Sequence, residues 1–208
     1  MGERHAAASA SGGMRTVIDA VRRRLQGLNE VDPWGLDADV LAIIDPLTTA
    51  RWRIETAGAT HVPLEGPLLF VANRCLGWSE PLVLGRALFA ATGRRLRFAA
   101  MPDRAPVSTV LRAIGGVVAD AAEVRALLRN DEMVAMFGAP TPLRCRTLGR
   151  IDPLLLEPAI DLGAPVLPVA LRGHELGRRW RVAVGPPVEL DEPLSSAVHT
   201  VAAAWSTV

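Results

Sequence analysis

The 208-residue sequence contains no lysine and no tyrosine, and aromatic residues make up only 4% of it. All 23 basic residues are therefore arginine, a bias that a GC-rich bacterial coding sequence produces and that carries no functional meaning. Cys75 and Cys145 are too few and too separated for a disulfide framework or a zinc-ligand set, so reduced thiols are the simplest expectation. His61, His174 and His199 stand at no triad or metal spacing to one another, and Asp19, Asp37, Asp39 and Asp45 follow no metal-loop pattern. Phosphate-loop and dinucleotide fingerprints are missing too. No metal and no cofactor is expected. No apolar run approaches the roughly 18 residues that cross a bilayer. A formal net charge of +1 gives no sign of a nucleic-acid partner. The first 13 residues are rich in Ala, Ser and Gly and lack the apolar segment of a signal peptide, so a disordered tail is expected there. The expected location is cytoplasmic, with attachment to the inner face of the membrane left open.

What remains is ordinary for one globular domain: 50% of residues are apolar and 22% charged. Residues 14–28 read as a helix with Met14, Val17, Ile18, Val21, Leu25 and Leu28 on one face and Arg15, Arg22, Arg23 and Arg24 on the rest. Such a helix either packs on the protein with a solvated basic side or lies on an anionic membrane surface. Residues 36–44 read as a second short helix stopped by Pro46. Strands are expected at 52–55, 68–72, 96–100, 117–118, 133–137 and 166–171, with an edge strand at 180–184. Between them fall helices at 79–92, 107–113, 120–128 and 152–163, and a last one at 193–205. Asp120 and Glu123 have capping-box spacing, and Gly163 suits a left-handed helix end. Strands alternating with helices indicate an α/β fold, a mixed, mostly parallel sheet flanked by helices. The expected layout is a tail at 1–13 and one domain at 14–208. Within it, N-terminal helices span 14–50, an α/β core 51–192 and a terminal helix 193–208.

The stretch Phe70-Val71-Ala72-Asn73-Arg74-Cys75-Leu76-Gly77-Trp78-Ser79-Glu80-Pro81 joins a buried strand to a helix start, with Ser79 as N-cap and Pro81 in the first turn. It resembles the first motif of the glycerolipid acyltransferases, the family of lysophosphatidic-acid acyltransferases. There a strand ends in Asn-His, an Asp follows the His with four residues between them, the His is the general base and the Asp orients it. Arg74 stands at the His position and Ser79 at the Asp position. Gly163-Ala164-Pro165-Val166-Leu167-Pro168-Val169-Ala170-Leu171-Arg172-Gly173 resembles the family's late block. Phe137-Gly138-Ala139-Pro140 falls where relatives carry Phe-Pro-Glu-Gly, with Ala139 in place of the Glu that helps hold the acceptor. Ala121 stands where an Arg of the family would bind phosphate. The resemblance spans roughly residues 32–191 and implies the family's single-domain fold.

An attacking hydroxyl needs a base of near-neutral pKa, and arginine, protonated throughout the accessible range, cannot serve. The resemblance therefore leaves two readings. One is a catalytically silent member that binds a lipid, an acyl thioester or an active relative. The other is a divergent enzyme moving an acyl group from acyl-CoA or acyl carrier protein to a lysophospholipid-like acceptor through an unrecognised base. Candidate ligand-binding residues are Asn73, Arg74, Ser79, Glu80, Gly138, Ala139, Arg144 and Arg146, with Arg150 beside the last two. No catalytic residue is assigned. Arg74, at a strand end before a helix, is expected to hold an anion or to pair with Glu80 or Asp103.

Overall fold

The computed structural model describes residues 16–28, 30–74, 79–101, 107–140, 147–190 and 194–208. A short helix, α1 (residues 16–25), precedes α2 (Ala38–Arg51). The strands are β1 (Arg53–Ala57), β2 (Leu68–Ala72), β3 (Leu96–Met101), β4 (Gly116–Val118), β5 (Met133–Phe137), β6 (Val166–Arg172) and β7 (Arg179–Val184). The remaining helices are α3 (Ser79–Thr92), α4 (Val107–Ala113), α5 (Ala121–Arg129), α6 (Glu157–Leu162) and α7 (Leu194–Ser206). They flank a seven-stranded sheet in the order β1-β7-β6-β2-β5-β3-β4. From β6 to β4 every neighbouring pair is parallel, so those strands end on one edge of the sheet. β7 runs antiparallel to β6, and β1 parallel to β7.

β2 shows why an unbroken apolar run becomes a central strand. All of its residues are buried. Leu68, Phe70 and Ala72 enter a core with Val83, Leu84 and Leu88 of α3. Leu69 and Val71 face the other way, toward Val124, Leu127 and Leu128 of α5 and Ala159 of α6. A strand covered on both faces has no polar side to alternate. α3, which follows β2, therefore lies on one face of the sheet, whereas α6, which follows the adjacent β5, lies on the other. Connections diverging from two neighbouring strands leave a crevice at their C-terminal ends, where ligands of open α/β sheets bind.

Four local expectations change. Pro46 does not stop the second helix, which continues to Arg51. Pro46 removes one backbone donor, the N–H that would reach the Ala42 carbonyl, and the helix continues past it. The Asp45 carbonyl accepts from the Arg86 guanidinium and the Thr48 and Thr49 hydroxyls, which ties α3 to α2. β7 is not an edge strand, because β1 pairs along its outer side; its alternating exposure reflects one solvated face. Asp120 caps α5 by accepting from the Ala122 and Glu123 N–H groups, but Glu123 reaches back to the Val118 N–H instead of closing the box. The segment opened by Asp152 is a 3-10 turn (Pro153–Leu155) followed by α6, which ends at Gly163 in the left-handed conformation, φ 61°.

Candidate functional site

A cavity of about 640 Å³ opens at the C-terminal ends of β2, β3, β4 and β5, within the range of small-molecule sites. Its apolar wall comes from Ala99, Phe137, Ile151 and Leu155, and its ionisable lining groups among the described residues are Arg74, Arg150 and Asp152. Arg74 is half-buried, two residues past the end of β2. It makes no ion pair with a described residue, so the expected pairing with Glu80 does not form; Asp103 lies outside the described residues. The Asp152 carboxylate accepts from the Leu154 N–H at 3.1 Å and caps the turn that follows.

Two glycines let the chain cross itself at this wall. The Ala139 N–H donates to the Arg150 carbonyl at 2.8 Å, clipping the segment after β5 to residues 148–150. A Cβ on Gly138 would lie 1.8 Å from the Leu148 carbonyl oxygen, so only glycine permits that approach. Gly149 has φ +78°, and its Cβ would lie 2.2 Å from the Ala139 carbonyl oxygen. Gly138 and Ala139 thus take part through backbone geometry.

Asn73 is fully buried and outside the cavity lining: its Nδ2 donates to the Leu171 carbonyl at 2.9 Å and its Oδ1 accepts from the Leu171 N–H at 2.7 Å. The side chain continues the pairing of β2 with β6 for one residue and holds the chain leading to Arg74. Ser79 does not act as an N-cap acceptor. It is the first residue of α3, and both its N–H, at 3.2 Å, and its hydroxyl, at 2.7 Å, donate to the carboxylate of Glu175. Glu175, in the β6–β7 loop, supplies the negative charge at the α3 N-terminus. Arg51 braces that loop by donating to the carbonyls of Glu175 and Gly177 at 3.1 and 2.9 Å. Glu175 is absent from the sequence-based candidates; it is 96 residues from Ser79, and no local spacing links them. Glu80 is 1% exposed in the first turn of α3, outside the cavity lining. Arg144, Arg146, Cys75, Cys145 and Met14 lie outside the described residues.

His61 and His174 have structural surroundings. His61 Nδ1 contacts the Val184 carbonyl at 2.9 Å, and His174 Nδ1 accepts from the Leu176 N–H at 3.2 Å. Among the described residues no group of His, Cys, Asp and Glu is arranged to hold a metal, and no helix is long and apolar enough to cross a membrane.

The arrangement is an open crevice with an apolar wall and guanidinium groups at its rim, suited to a ligand with an anionic group and an apolar part. No family model matches the chain, and no curated protein matches it. Among solved structures it is similar to the 1-acyl-sn-glycerophosphate (LPA) acyltransferase PlsC from Thermotoga maritima, with 14% sequence identity and a TM-score of 0.54. The match covers 81% of this chain and 79% of that one. The fold is therefore that of the PlsC acyltransferase, a mostly parallel seven-stranded sheet flanked by helices.

Proposed function

We propose that this acyltransferase-fold chain binds a lipid or acyl thioester by its anionic group and transfers no acyl group. The observation that carries the reading is Arg74, a permanent cation on the wall of the strand-end cavity that forms no ion pair with a described residue, while Asp152 of the same lining caps the turn that follows it. Arginine is a donor only and takes no proton from an attacking hydroxyl. Arg150 adds a second cation at the rim, and the apolar wall suits the start of an acyl chain. The name of the Thermotoga maritima neighbour, an enzyme of 1-acyl-glycerophosphate, makes a glycerophosphate-type lipid the first ligand to test.

The test combines thermal melts with a turnover assay. A lysophosphatidate, below its micelle concentration and at a hundred times its Kd, should stabilise the protein by about 2.7 kcal/mol. That is a rise of roughly 5–10 °C for a chain of this size. Arg74→Ala should abolish the rise. No acyl transfer from oleoyl-CoA is expected, and Arg74→His with Ser79→Asp should regain little, because Ala139 supplies no carboxylate for the acceptor. Sustained transfer by the natural sequence, lost in Arg74→Ala or Glu80→Ala, would replace this reading with that of a divergent enzyme.

A further inference from the structure

Away from the cavity, β6, β7 and β1 present an exposed face of the sheet. Leu171, Trp180 and Val182 point into the core beneath α3, and Ile54 packs against it. Side chains alternate along a strand, so Arg172, Arg179, Arg181, Arg53 and Glu55 stand on the opposite face, and all five are exposed. Register sets them in two rows. Arg172 lies opposite Arg181, which is level with Glu55, and Arg179 is level with Arg53. Neighbouring strands are about 4.8 Å apart and alternate residues along a strand about 6.7 Å, so four guanidinium arms rise from a patch about 10 Å across. The next row on that face is Ala170, Ala183 and Ala57, side chains too small to crowd the arginine arms.

This charge is not cancelled locally. None of the four guanidiniums forms an ion pair or a side-chain hydrogen bond with a described residue. Residues 51–55 and 172–181 hold six arginines and two acids, in a chain whose net charge is +1. Of those acids, Glu175 is engaged at the α3 N-terminus, and Glu55 makes no ion pair with the Arg181 beside it. Arg51 and Arg178 donate to the carbonyls of residues 50, 175 and 177 and so keep their charge. Like charges directly opposite each other destabilise a sheet, and both Arg172–Arg181 and Arg53–Arg179 are such pairs. An anion held between the arms turns that repulsion into attraction.

We propose that this face binds a compact oligophosphate, an anion of two or three linked phosphate groups. The guanidinium fork matches phosphate oxygens two at a time, and linked phosphates put several such oxygens within reach of neighbouring arms. Size selects that occupant. A protein partner ordinarily meets an apolar or aromatic anchor at the centre of its footprint, whereas this face holds arginine and alanine. A single nucleic-acid strand stacks its bases on aromatic rings, and Trp180 of these strands is buried in the core. A duplex or a bilayer calls for a basic surface far wider than this patch, and the chain as a whole is close to neutral. Inorganic polyphosphate and the phosphate chain of a nucleotide share the chemistry that the four arginines read. None of these residues lines the strand-end cavity, so the site stands independently of the ligand bound there.

Thermal melts of the full chain with tripolyphosphate, orthophosphate and ATP, at matched ionic strength, test the site. Tripolyphosphate should raise Tm at a concentration at least about tenfold below that needed of orthophosphate. Half-molar sodium chloride should weaken the effect. Arg172→Gln with Arg181→Gln should remove most of the shift and leave the anion-free Tm unchanged or higher, because a repulsive pair is gone. Arg74→Ala should keep the shift, which separates this site from the cavity. ATP no tighter than tripolyphosphate would show that the phosphate chain alone is read, and tighter ATP would make a nucleotide the source; the site stands in both cases. Four results would overturn it: no shift beyond that of orthophosphate, a shift unchanged in the double variant, a shift lost in Arg74→Ala, or stronger retention by duplex DNA or anionic vesicles that the double variant loses.

Discussion

Glu175 offers a measurable link between the β6–β7 loop and the helix that follows Arg74. Replacing it with alanine removes the acceptor of the Ser79 N–H and hydroxyl at once, at 3.2 and 2.7 Å. Loss of an N-terminal cap costs about 1 kcal/mol. The missing negative charge at the helix N-terminus adds about 0.3–1 kcal/mol. The 3% exposed Ser79 hydroxyl must then find water, which the exposed position of Glu175 allows, so the full penalty of a buried unpaired group is not incurred. Solvent screening keeps the charge contribution near its lower bound. The sum is about 1–2 kcal/mol, or a drop of roughly 2–8 °C in Tm. Urea unfolding followed by circular dichroism should show a lower midpoint with an unchanged slope. Glu175→Gln, which retains an acceptor oxygen and loses the charge, should cost about half as much. A double-mutant cycle with Ser79→Ala isolates the pair, and a coupling of about 0.5–1.5 kcal/mol is expected. A midpoint unchanged in Glu175→Ala, or a full loss with no coupling to Ser79, would refute the capping argument.

The two other predictions concern the cavity wall and the N-terminal ion pairs. Gly138→Ala should cost about 3 kcal/mol or more and abolish ligand stabilisation, because its Cβ would sit 1.8 Å from a backbone oxygen. Gly85→Ala in α3, whose nearest contact would be an ordinary 3.8 Å, should instead stabilise the chain by about 0.5–1 kcal/mol, and urea midpoints of both variants decide the matter. For pH, burial pushes the Asp37 carboxyl up, but the Val40 N–H, Arg24 and the Asp39 N–H together hold it below its ordinary value. Asp32 is likewise raised by burial and held low overall by Arg97 and the Leu36 and Trp34 N–H groups. A carboxyl depressed in the folded state contributes stability that is complete above its unfolded pKa of about 3.9 and is lost as pH falls through the folded value. Stability should therefore decline below about pH 4. Asp37→Asn should flatten the decline, and an unchanged acid limb would show that Asp37 carries none of it.

Much of the fold was legible because its signals are local. Leu68 to Ala72 reads as a central strand from an unbroken apolar run, and Gly163 as a helix end because few other residues adopt φ 61° without strain. The order of strands and helices points to a mostly parallel α/β sheet, and the blocks around Arg74 and Val166 to an acyltransferase fold, which the Thermotoga maritima structure matches. Arg74 was readable as a cation at a strand end for the same reason.

Other features depend on residues far apart in the chain. Pro46 reads as a stop, yet the helix continues to Arg51, and Arg86 of another helix donates to the Asp45 carbonyl beside it. β7 has an edge strand's alternation, yet β1 pairs along its outer side. Ser79 has the chemistry of a helix cap, but Glu175 takes that role from the loop after the neighbouring strand β6. The apolar periodicity of residues 16–25 specifies a helix with a stripe; Ile18, Val21 and Leu25 face outward because Arg23 and Arg24 meet Asp39 and Asp37. Periodicity and backbone preference belong to neighbours along the chain, and the sequence by itself determined the elements and the cation at the end of β2. Which face is covered, which carboxylate meets which helix end and which edge is paired are decided by contacts between distant segments, and those exist only once the sheet has assembled.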